Sequence, residues 1–279
     1  MDYTVDLSTG DRFTMHRVVF NQKGGVGKTS ITCNLAAIGA HQGLRTLVID
    51  LDVQGNSTHY LVGEVDAEQY PAEAQGVAGL FKQMVGPKKM AKNPDAFVWE
   101  TPYDNLFLLP SSPYLSQIEK ELEARYKIYK LRDALAKLGD EYDRIYIDTP
   151  PNFNFYSKSA LIAADRVLVP FDCDSFARQS LYELMANIEE LQEDHNPDLE
   201  VEGIVINQFN GQARLPGALV DELKEEGFPV IDSYLSSSVK MRESHHDMRP
   251  LIHLAPSHKL TQAYLALHDR LERRRPRRG

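Results

Sequence analysis

Short apolar runs bounded by polar residues recur along this chain and predict buried β-strands. The runs cover residues 17–20, 46–49, 106–109, 144–147, 167–170 and 203–206, and residues 229–231 are the candidate for a last strand. Each run is short and almost continuously apolar, which is typical of strands covered on both faces. We therefore expect a sheet in the middle of the molecule.

Helical patterns alternate with these apolar runs. We predict helices over residues 30–42, 178–194, 215–226 and 257–275, and one or two helices over 114–139. Residues 62–103 contain several helix breakers and predict short helices and loops. This alternation predicts a single α/β domain with a mostly parallel, twisted sheet and helices on both faces.

The composition is that of a soluble globular protein, with 42% hydrophobic and 25% charged residues in a chain of 279. No apolar run approaches the roughly 18 residues that cross a membrane. The first 16 residues lack the apolar segment of a signal peptide, which predicts a cytoplasmic location. We predict an N-terminal extension at residues 1–16, one domain at 17–272 and a basic tail at 273–279.

The charge is distributed unevenly along the chain. The net charge of −9 argues against a uniformly basic surface, whereas residues 270–279 carry six arginines and one acid. Such asymmetry indicates an anionic partner for one surface. A solvated chain terminus is the alternative interpretation.

A glycine-rich segment lies between the first predicted strand and the first predicted helix. Small residues there let backbone N–H groups face phosphate oxygens, and the helix N-terminus adds a positive dipole end. Lys28 is placed to reach the β- and γ-phosphates of a nucleotide, and the hydroxyl of Thr29 is placed to bind Mg²⁺. The residues expected to bind the nucleotide here are Lys23, Gly24, Gly25, Val26, Gly27, Lys28, Thr29 and Ser30.

The segment Asn21–Thr29 resembles the deviant Walker A motif of the ParA/MinD family of P-loop NTPases. The resemblance implies that Lys23 is the family's first lysine, which reaches the phosphates held by the other subunit of a nucleotide-sandwich dimer. A cation delivered in this way would act like an arginine finger during phosphoryl transfer. The resemblance further implies ATP and Mg²⁺ as cofactors and a slow, partner-stimulated ATPase that forms an ATP-dependent homodimer.

Polar side chains at the ends of three predicted strands complete this expected site. Asp50 and Asp52 follow one strand, and Asp148 follows another; ligands of open α/β sheets bind at such ends. By resemblance, Asp52 positions the attacking water and Asp148 is the Walker B acid, so the implied metal-site residues are Thr29, Asp52 and Asp148. Asn207 stands where relatives place a polar side chain on adenine, although a loop asparagine with ordinary partners is the alternative. The implied catalytic residues are Lys23, Lys28, Asp52 and Asp148.

The ParA-like interpretation implies an ATP-state dimer that binds double-stranded DNA without sequence preference, together with a ParB-like or cargo adaptor protein that stimulates hydrolysis. Such a protein would associate with the nucleoid and position a plasmid, a chromosome or a protein cluster. Lys240 matches a basic position of the family, and other basic residues lie near it or in the tail. The expected DNA-binding residues are Arg214, Lys240, Arg242, Arg273, Arg274 and Arg275.

Other functions are compatible with the same fold. A MinD-like membrane ATPase would need an insertable C-terminal helix, but the residues after Leu271 are charged rather than apolar, so a membrane partner is not expected. A metal-cluster carrier would need clustered cysteines, whereas Cys33 and Cys173 are isolated and predict buried free thiols. An ATP-dependent ligase or synthetase for a small molecule remains the alternative from another class.

Overall fold

The computed structural model describes residues 14–64, 75–85, 92–139, 141–173, 177–209 and 214–273. Within these ranges, seven strands form one sheet in the order β3-β4-β2-β5-β1-β6-β7. All neighbouring strands are parallel except β3 and β4, which are antiparallel. The strands are β1 Met15–Val19, β2 Thr46–Asp50, β3 Trp99–Glu100, β4 Leu106–Leu109, β5 Arg144–Asp148, β6 Arg166–Asp172 and β7 Glu200–Asn207.

The six principal apolar runs are strands, as predicted. The short edge strand β3 was not expected, and the strand predicted at residues 229–231 is wrong. That segment lies parallel to β7 but makes a single bridge, between Val230 and Ile204, because its backbone hydrogen bonds to β7 are confined to Ile204. Gly203 permits the close approach of this segment, since a Cβ atom at this position would lie 2.5 Å from the side chain of Ile231.

Helices pack on both faces of the sheet. The residues 114–139 form two helices, which are separated at a turn where Tyr126 has a φ of +54°. The helices are α1 Lys28–His41, α2 Asn56–Val62, α3 Gly76–Val85, α4 Leu115–Ala124, α5 Lys130–Leu138, α6 Phe155–Ala163, α7 Ala177–Asp194, α8 Arg214–Glu225, α9 Val239–His246, α10 Leu251–Leu254 and α11 Lys259–Arg273, with a 3₁₀ turn at Pro94–Phe97.

Two hydrophobic clusters, one on each face of the sheet, form the core. Helices α3 to α8 contribute to the first cluster, and α1, α2, α10 and α11 contribute to the second. Helix α1 is buried along most of its length between the sheet and α11. In the part of the chain that the structure describes, no helix combines the length and the apolar character that crossing a bilayer requires.

The ends of the chain lie only partly within the described residues. Strand β1 begins at Met15 and so includes two residues of the predicted extension at 1–16, whose first 13 residues lie outside the described residues. Arg273 is the last residue of α11. The rest of the predicted basic tail, residues 274–279, lies outside the described residues.

The sheet topology creates a crevice at the carboxyl end of β1. The chain passes from β1 to β2 on one side, and it later crosses β1 as it runs from β5 to β6. Such a change in strand order is where open α/β sheets bind ligands. The register places Asp148 beside both Val19 and Asp50, which brings two of the predicted acids to the end of β1.

Candidate functional site

The loop between β1 and α1 has a backbone that requires glycine. Gly25 has a φ of +77° and Gly27 a φ of +92°, a left-handed region that residues with a Cβ atom seldom adopt. A Cβ atom on Gly27 would also lie 2.1 Å from Nδ2 of Asn207. Both the turn and the close approach of β7 therefore exclude a larger residue at position 27.

Side-chain donors hold the carbonyl groups of this loop from several directions. Nζ of Lys28 donates to the carbonyl oxygen of Lys23 at 2.9 Å. Asn207 donates to Val26 O and Gln208 to Gly25 O, each at 2.8 Å. With these carbonyls occupied by protein donors, the loop offers its backbone N–H groups to an anion.

The start of α1 adds to this preference for an anion. The helix begins directly after the loop, at Lys28, and its first turn contains no acidic residue. The helix itself therefore contributes no carboxylate that would offset the positive end of its dipole. A glycine loop in the left-handed region followed by a helix N-terminus without a side-chain cap is the arrangement that binds phosphate groups.

Oxygen donors suited to Mg²⁺ meet beside the loop. The hydroxyl groups of Thr29 and Ser57 each donate to Oδ2 of the buried Asp148, both at 2.7 Å. Mg²⁺ is usually held by one or two protein oxygens together with substrate phosphates and water. The hydroxyl of Thr29 and the carboxylate of Asp148 are thus the chemical groups that such an ion would take.

Asp50 and Asp52 have different environments at the same edge. The buried carboxylate of Asp50 accepts three hydrogen bonds, two from the backbone N and the hydroxyl of Thr58 at 2.8 Å and one from the backbone N of Asp52 at 3.2 Å. Burial and the nearby charge of Asp148 raise the pKa of Asp50 above its ordinary value. Asp52 accepts from the backbone N of Gln54 at 3.0 Å, which leaves it carboxylate oxygen for a further donor.

Lys28 is the basic group enclosed with these acids. Burial lowers the pKa of its ammonium group, and the charges of Asp148 and Asp52 oppose that decrease. Burial also raises the pKa of Asp148, although the hydroxyls of Ser57 and Thr29 and the charge of Lys28 oppose the increase. The edge therefore holds more carboxylate than ammonium, which favours a bound cation.

The structure brings the predicted nucleotide and metal residues together, and it adds residues that the sequence reasoning missed. Ser57 and Thr58 anchor two of the acids from α2, and Gln208 supports the glycine loop. Nε2 of His245, on α9, lies 2.9 Å from Oγ of Ser30. Ser57 and Thr58 directly follow Gly55-Asn56, and their hydroxyls could have been identified from the sequence. His245 lies far along the chain, and no sequence pattern connects it with the loop.

The two cysteines differ in how far they are buried. Cys33 is buried and donates to the hydroxyl of Ser57 at 3.3 Å, whereas Cys173 is only half-buried, in contrast to the buried thiol that we predicted. Among the described residues, no three histidine, cysteine or acidic side chains converge on a potential metal position.

The residues predicted to bind DNA are spread over three helices. On α9, Arg242 is exposed, and Lys240 forms an ion pair with Glu243 one turn later. Arg273 is exposed at the end of α11. Arg214 begins α8 with a side chain outside the described residues, and Arg274 and Arg275 also lie outside them.

Comparison with known sequences identifies similar proteins along almost the whole chain. A family model described as an AAA domain matches residues 16–201. The chain is 33% identical to the chromosome partitioning protein ParA of Myxococcus xanthus, over 92% of this chain and 87% of that protein. It is 29% identical to the sporulation initiation inhibitor protein Soj of Bacillus subtilis, over 90% of this chain and 95% of the relative.

Solved structures share the fold. Cobyrinic acid a,c-diamide synthase from Mycobacterium smegmatis, with bound ADP and magnesium, superposes with a TM-score of 0.76 at 27% identity and covers 93% of this chain and 94% of its own. The ATP complex of a single-residue variant of McdA from Cyanothece superposes with a TM-score of 0.80, covering 94% and 98%, at 22% identity.

Proposed function

This chain belongs to the ParA-like P-loop ATPases, and from that premise we propose that it hydrolyses ATP slowly and uses the ATP state to position or segregate an intracellular cargo. The observation that carries the proposal is the assembled edge of the sheet. There, the glycine loop, Lys28 and the pair Thr29–Asp148 meet at the end of β1.

ATP and Mg²⁺ fit this edge. The loop N–H groups and Lys28 would hold the phosphates, and Thr29 and Asp148 would hold the metal ion directly or through water. Bound Mg²⁺ supplies positive charge to the phosphate oxygens. Related structures support the choice, since one contains ADP and magnesium and another is an ATP complex.

Hydrolysis requires a water molecule in line with the γ-phosphate and a cation for the charge that develops there. We assign the first role to Asp52 and the second to Lys23 of the opposite subunit in an ATP-dependent homodimer. The side chain of Asn207 donates to the carbonyl oxygen of Val26, and we propose that it also lies close to the adenine. Because the catalytic set is complete only in the dimer, we expect the isolated protein to turn over well below the typical enzyme median of about 10 per second.

Three variants separate these roles. Lys28→Ala should lose nucleotide binding, because the cation of the loop is removed. Lys23→Ala should bind ATP but no longer dimerise, and Asp52→Ala should dimerise with ATP without hydrolysing it. Size-exclusion chromatography with ATP, together with phosphate release, distinguishes the three. If Lys23→Ala dimerises as the parent does, a role for Lys23 across the dimer is wrong.

We extend the proposal to DNA: the ATP dimer binds duplex DNA non-specifically and so associates with the nucleoid. Lys240 and Arg242 on α9 would contribute phosphate contacts, with Arg214, Arg273, Arg274 and Arg275 as further candidates. Each phosphate contact releases counterions, so log affinity falls with log salt by about 0.9 per contact. Dimerisation doubles the number of contacts and thereby places DNA binding under the control of ATP.

The DNA proposal is tested with two matched double variants. Lys240→Glu with Arg242→Glu should abolish binding to unrelated duplexes while ATP-dependent dimerisation persists. Lys130→Glu with Arg132→Glu changes the charge equally on α5, where Lys130 pairs with Asp133 just as Lys240 pairs with Glu243. Helix α5 packs on the other face of the sheet, so this control should bind DNA like the parent. Equal weak binding with ATP, ADP and no nucleotide would exclude the proposal.

A ParB-like or cargo adaptor protein is the partner that we propose for stimulating hydrolysis, because similar proteins are chromosome partitioning proteins. A second candidate function is a small-molecule synthase, because one similar structure at 27% identity carries that name. The discriminating measurement is the ATPase rate: DNA and an adaptor should raise it in the first case, and a carboxylic acid substrate should raise it in the second.

A further inference from the structure

The last turn of α9 reaches the phosphate-binding end of α1 through a single side chain. Nε2 of His245 lies 2.9 Å from the hydroxyl of Ser30, although 215 positions separate the two residues in the chain. Ser30 directly follows Thr29, whose own hydroxyl is bound to Asp148. A side chain of α9 is therefore one hydrogen bond away from the phosphate loop.

A second route joins the same turn of α9 to the buried carboxylate of Asp148. The ring of Tyr60, on α2, meets the ring of His245 edge to face at a centroid distance of 4.9 Å. The hydroxyl of Tyr60 also forms a short hydrogen bond with Ser244. One turn earlier in α2, Ser57 donates to Asp148, so α2 links the acid to α9.

Buried polar contacts hold this junction in place. Asn34 of α1 donates to the hydroxyl of Tyr60 at 3.2 Å and accepts from the backbone N of Leu251 at 2.8 Å. Ser244 donates to the carbonyl of Arg249 at 2.6 Å. Asn34, Tyr60 and Ser244 are almost fully buried, whereas the ring of His245 keeps an exposed side. The position of the imidazole is thus set by its neighbours, and its Nε2 atom is directed at Ser30.

We propose that His245 is a positioning residue that couples nucleotide binding at the phosphate loop to the conformation of α9. This inference rests on the proposed nucleotide site and connects that site to helix α9. Occupation of the loop fixes Ser30, the Ser30–His245 hydrogen bond fixes the last turn of α9, and the helix carrying Lys240 and Arg242 becomes more ordered. Linkage makes this coupling reciprocal. If bound nucleotide raises the affinity of α9 for a ligand by some factor, that ligand raises the affinity for nucleotide by the same factor.

Hydrogen exchange measures this coupling without DNA. Backbone exchange is followed in peptides from α1 and from α9, with and without a non-hydrolysable ATP analogue and Mg²⁺. The nucleotide should slow exchange at the start of α1 and in α9 of the parent protein. His245→Phe keeps an aromatic ring against Tyr60 but has no nitrogen for Ser30, so the slowing in α9 should be lost while that in α1 remains.

Two further variants make the result specific. His245→Gln places an amide nitrogen or oxygen near the position of Nε2 and should restore the slowing in α9. His246→Phe makes the same change at the exposed neighbouring position and should behave like the parent. Thermal unfolding of each variant establishes that the fold is intact.

The possible outcomes are distinct. If α9 of His245→Phe responds to nucleotide as the parent does, the coupling role is wrong. If the response of α1 is lost as well, or if His246→Phe shows the same loss as His245→Phe, His245 has only a structural role and the inference is also wrong. If nucleotide protects neither helix of the parent, the nucleotide site itself is wrong and the inference fails with it.

Discussion

Two groups of buried charges lie toward opposite ends of the sheet and differ in how the charges are balanced. The carboxylate edge, Asp50, Asp52 and Asp148 with Lys28, lies at the carboxyl ends of the strands. The arginine cluster, toward the amino ends, consists of Arg17, Arg144, Arg166, Glu202 and Glu272.

Every arginine of the cluster is paired with a carboxylate of the protein. Arg17 binds both carboxylate oxygens of Glu202, at 2.5 and 2.8 Å, and Arg166 binds one of them at 3.0 Å. Burial favours the neutral form of Glu272, but the hydrogen bond and charge of Arg144 and the charge of Arg17 lower its pKa to about 2. Bidentate pairing of this kind offsets the loss of water around buried ions.

Among the described residues, the carboxylate edge buries more carboxylates than ammonium groups. Its three acids are enclosed with one lysine, and burial raises the pKa of Asp50 and of Asp148. The arginine cluster therefore supports the fold itself, whereas the carboxylate edge is arranged for a cation that the protein chain does not supply. Substitutions in the two regions should therefore change stability in opposite directions.

The largest effect is expected from Glu202→Ala in the arginine cluster. The change leaves Arg17 and Arg166 buried without their main partner, and it should lower the free energy of unfolding by about 3–5 kcal/mol. Urea denaturation measures the loss. Glu200→Ala is the control, because Glu200 is half-exposed and contacts Arg166 only at 3.5 Å; about 0–1 kcal/mol is expected there. Equal losses in the two variants would contradict the assigned role of the cluster.

The next effect is the pH dependence caused by His268, which is buried beside Arg17 and Glu272. Burial lowers its pKa from 6.5 to about 4, so the folded state disfavours the protonated ring. The contribution of the neutral His268 ring to the free energy of unfolding is therefore fully present above pH 6.5. This contribution, about 3 kcal/mol, is lost as the pH falls toward 4.

His268→Leu should reduce this loss, because a titrating group that is charged only in the unfolded state has been removed. Urea denaturation of parent and variant at pH 7.5, 5.5 and 4.5 measures the difference between their pH profiles. Parallel profiles would show that His268 does not take up a proton on unfolding.

The smallest effect, and the one of opposite sign, is expected from Asp148→Asn at the carboxylate edge. Without metal at pH 8, the variant should be more stable than the parent by about 1–3 kcal/mol, because a buried carboxylate that repels its neighbours is removed. Mg²⁺ with an ATP analogue should then stabilise the parent but not the variant. Urea denaturation in chelator and in Mg²⁺ tests both statements, and a less stable metal-free variant would overturn the comparison.

Features that depend on contiguous residues could be predicted from the sequence. The six principal strands, the long helices and the glycine loop are examples, since apolar periodicity and glycine chemistry act over a few residues. Helix α6 was not predicted, because all its residues except Lys158 are buried and it lacks a polar face. The short polar helix α9 was also missed, although Ser238 caps its N-terminus and was a usable signal.

Short stretches of sequence specify which chemistry is available: a phosphate loop that requires glycine, oxygen ligands for Mg²⁺ and an excess of acid at strand ends. Which of these groups meet depends on how the strands and helices pack. The hydrogen bonds Thr29–Asp148 and Ser30–His245 join residues 119 and 215 positions apart. Such pairings follow from strand register and helix packing, in which every element constrains the others, and no local stretch of sequence encodes them.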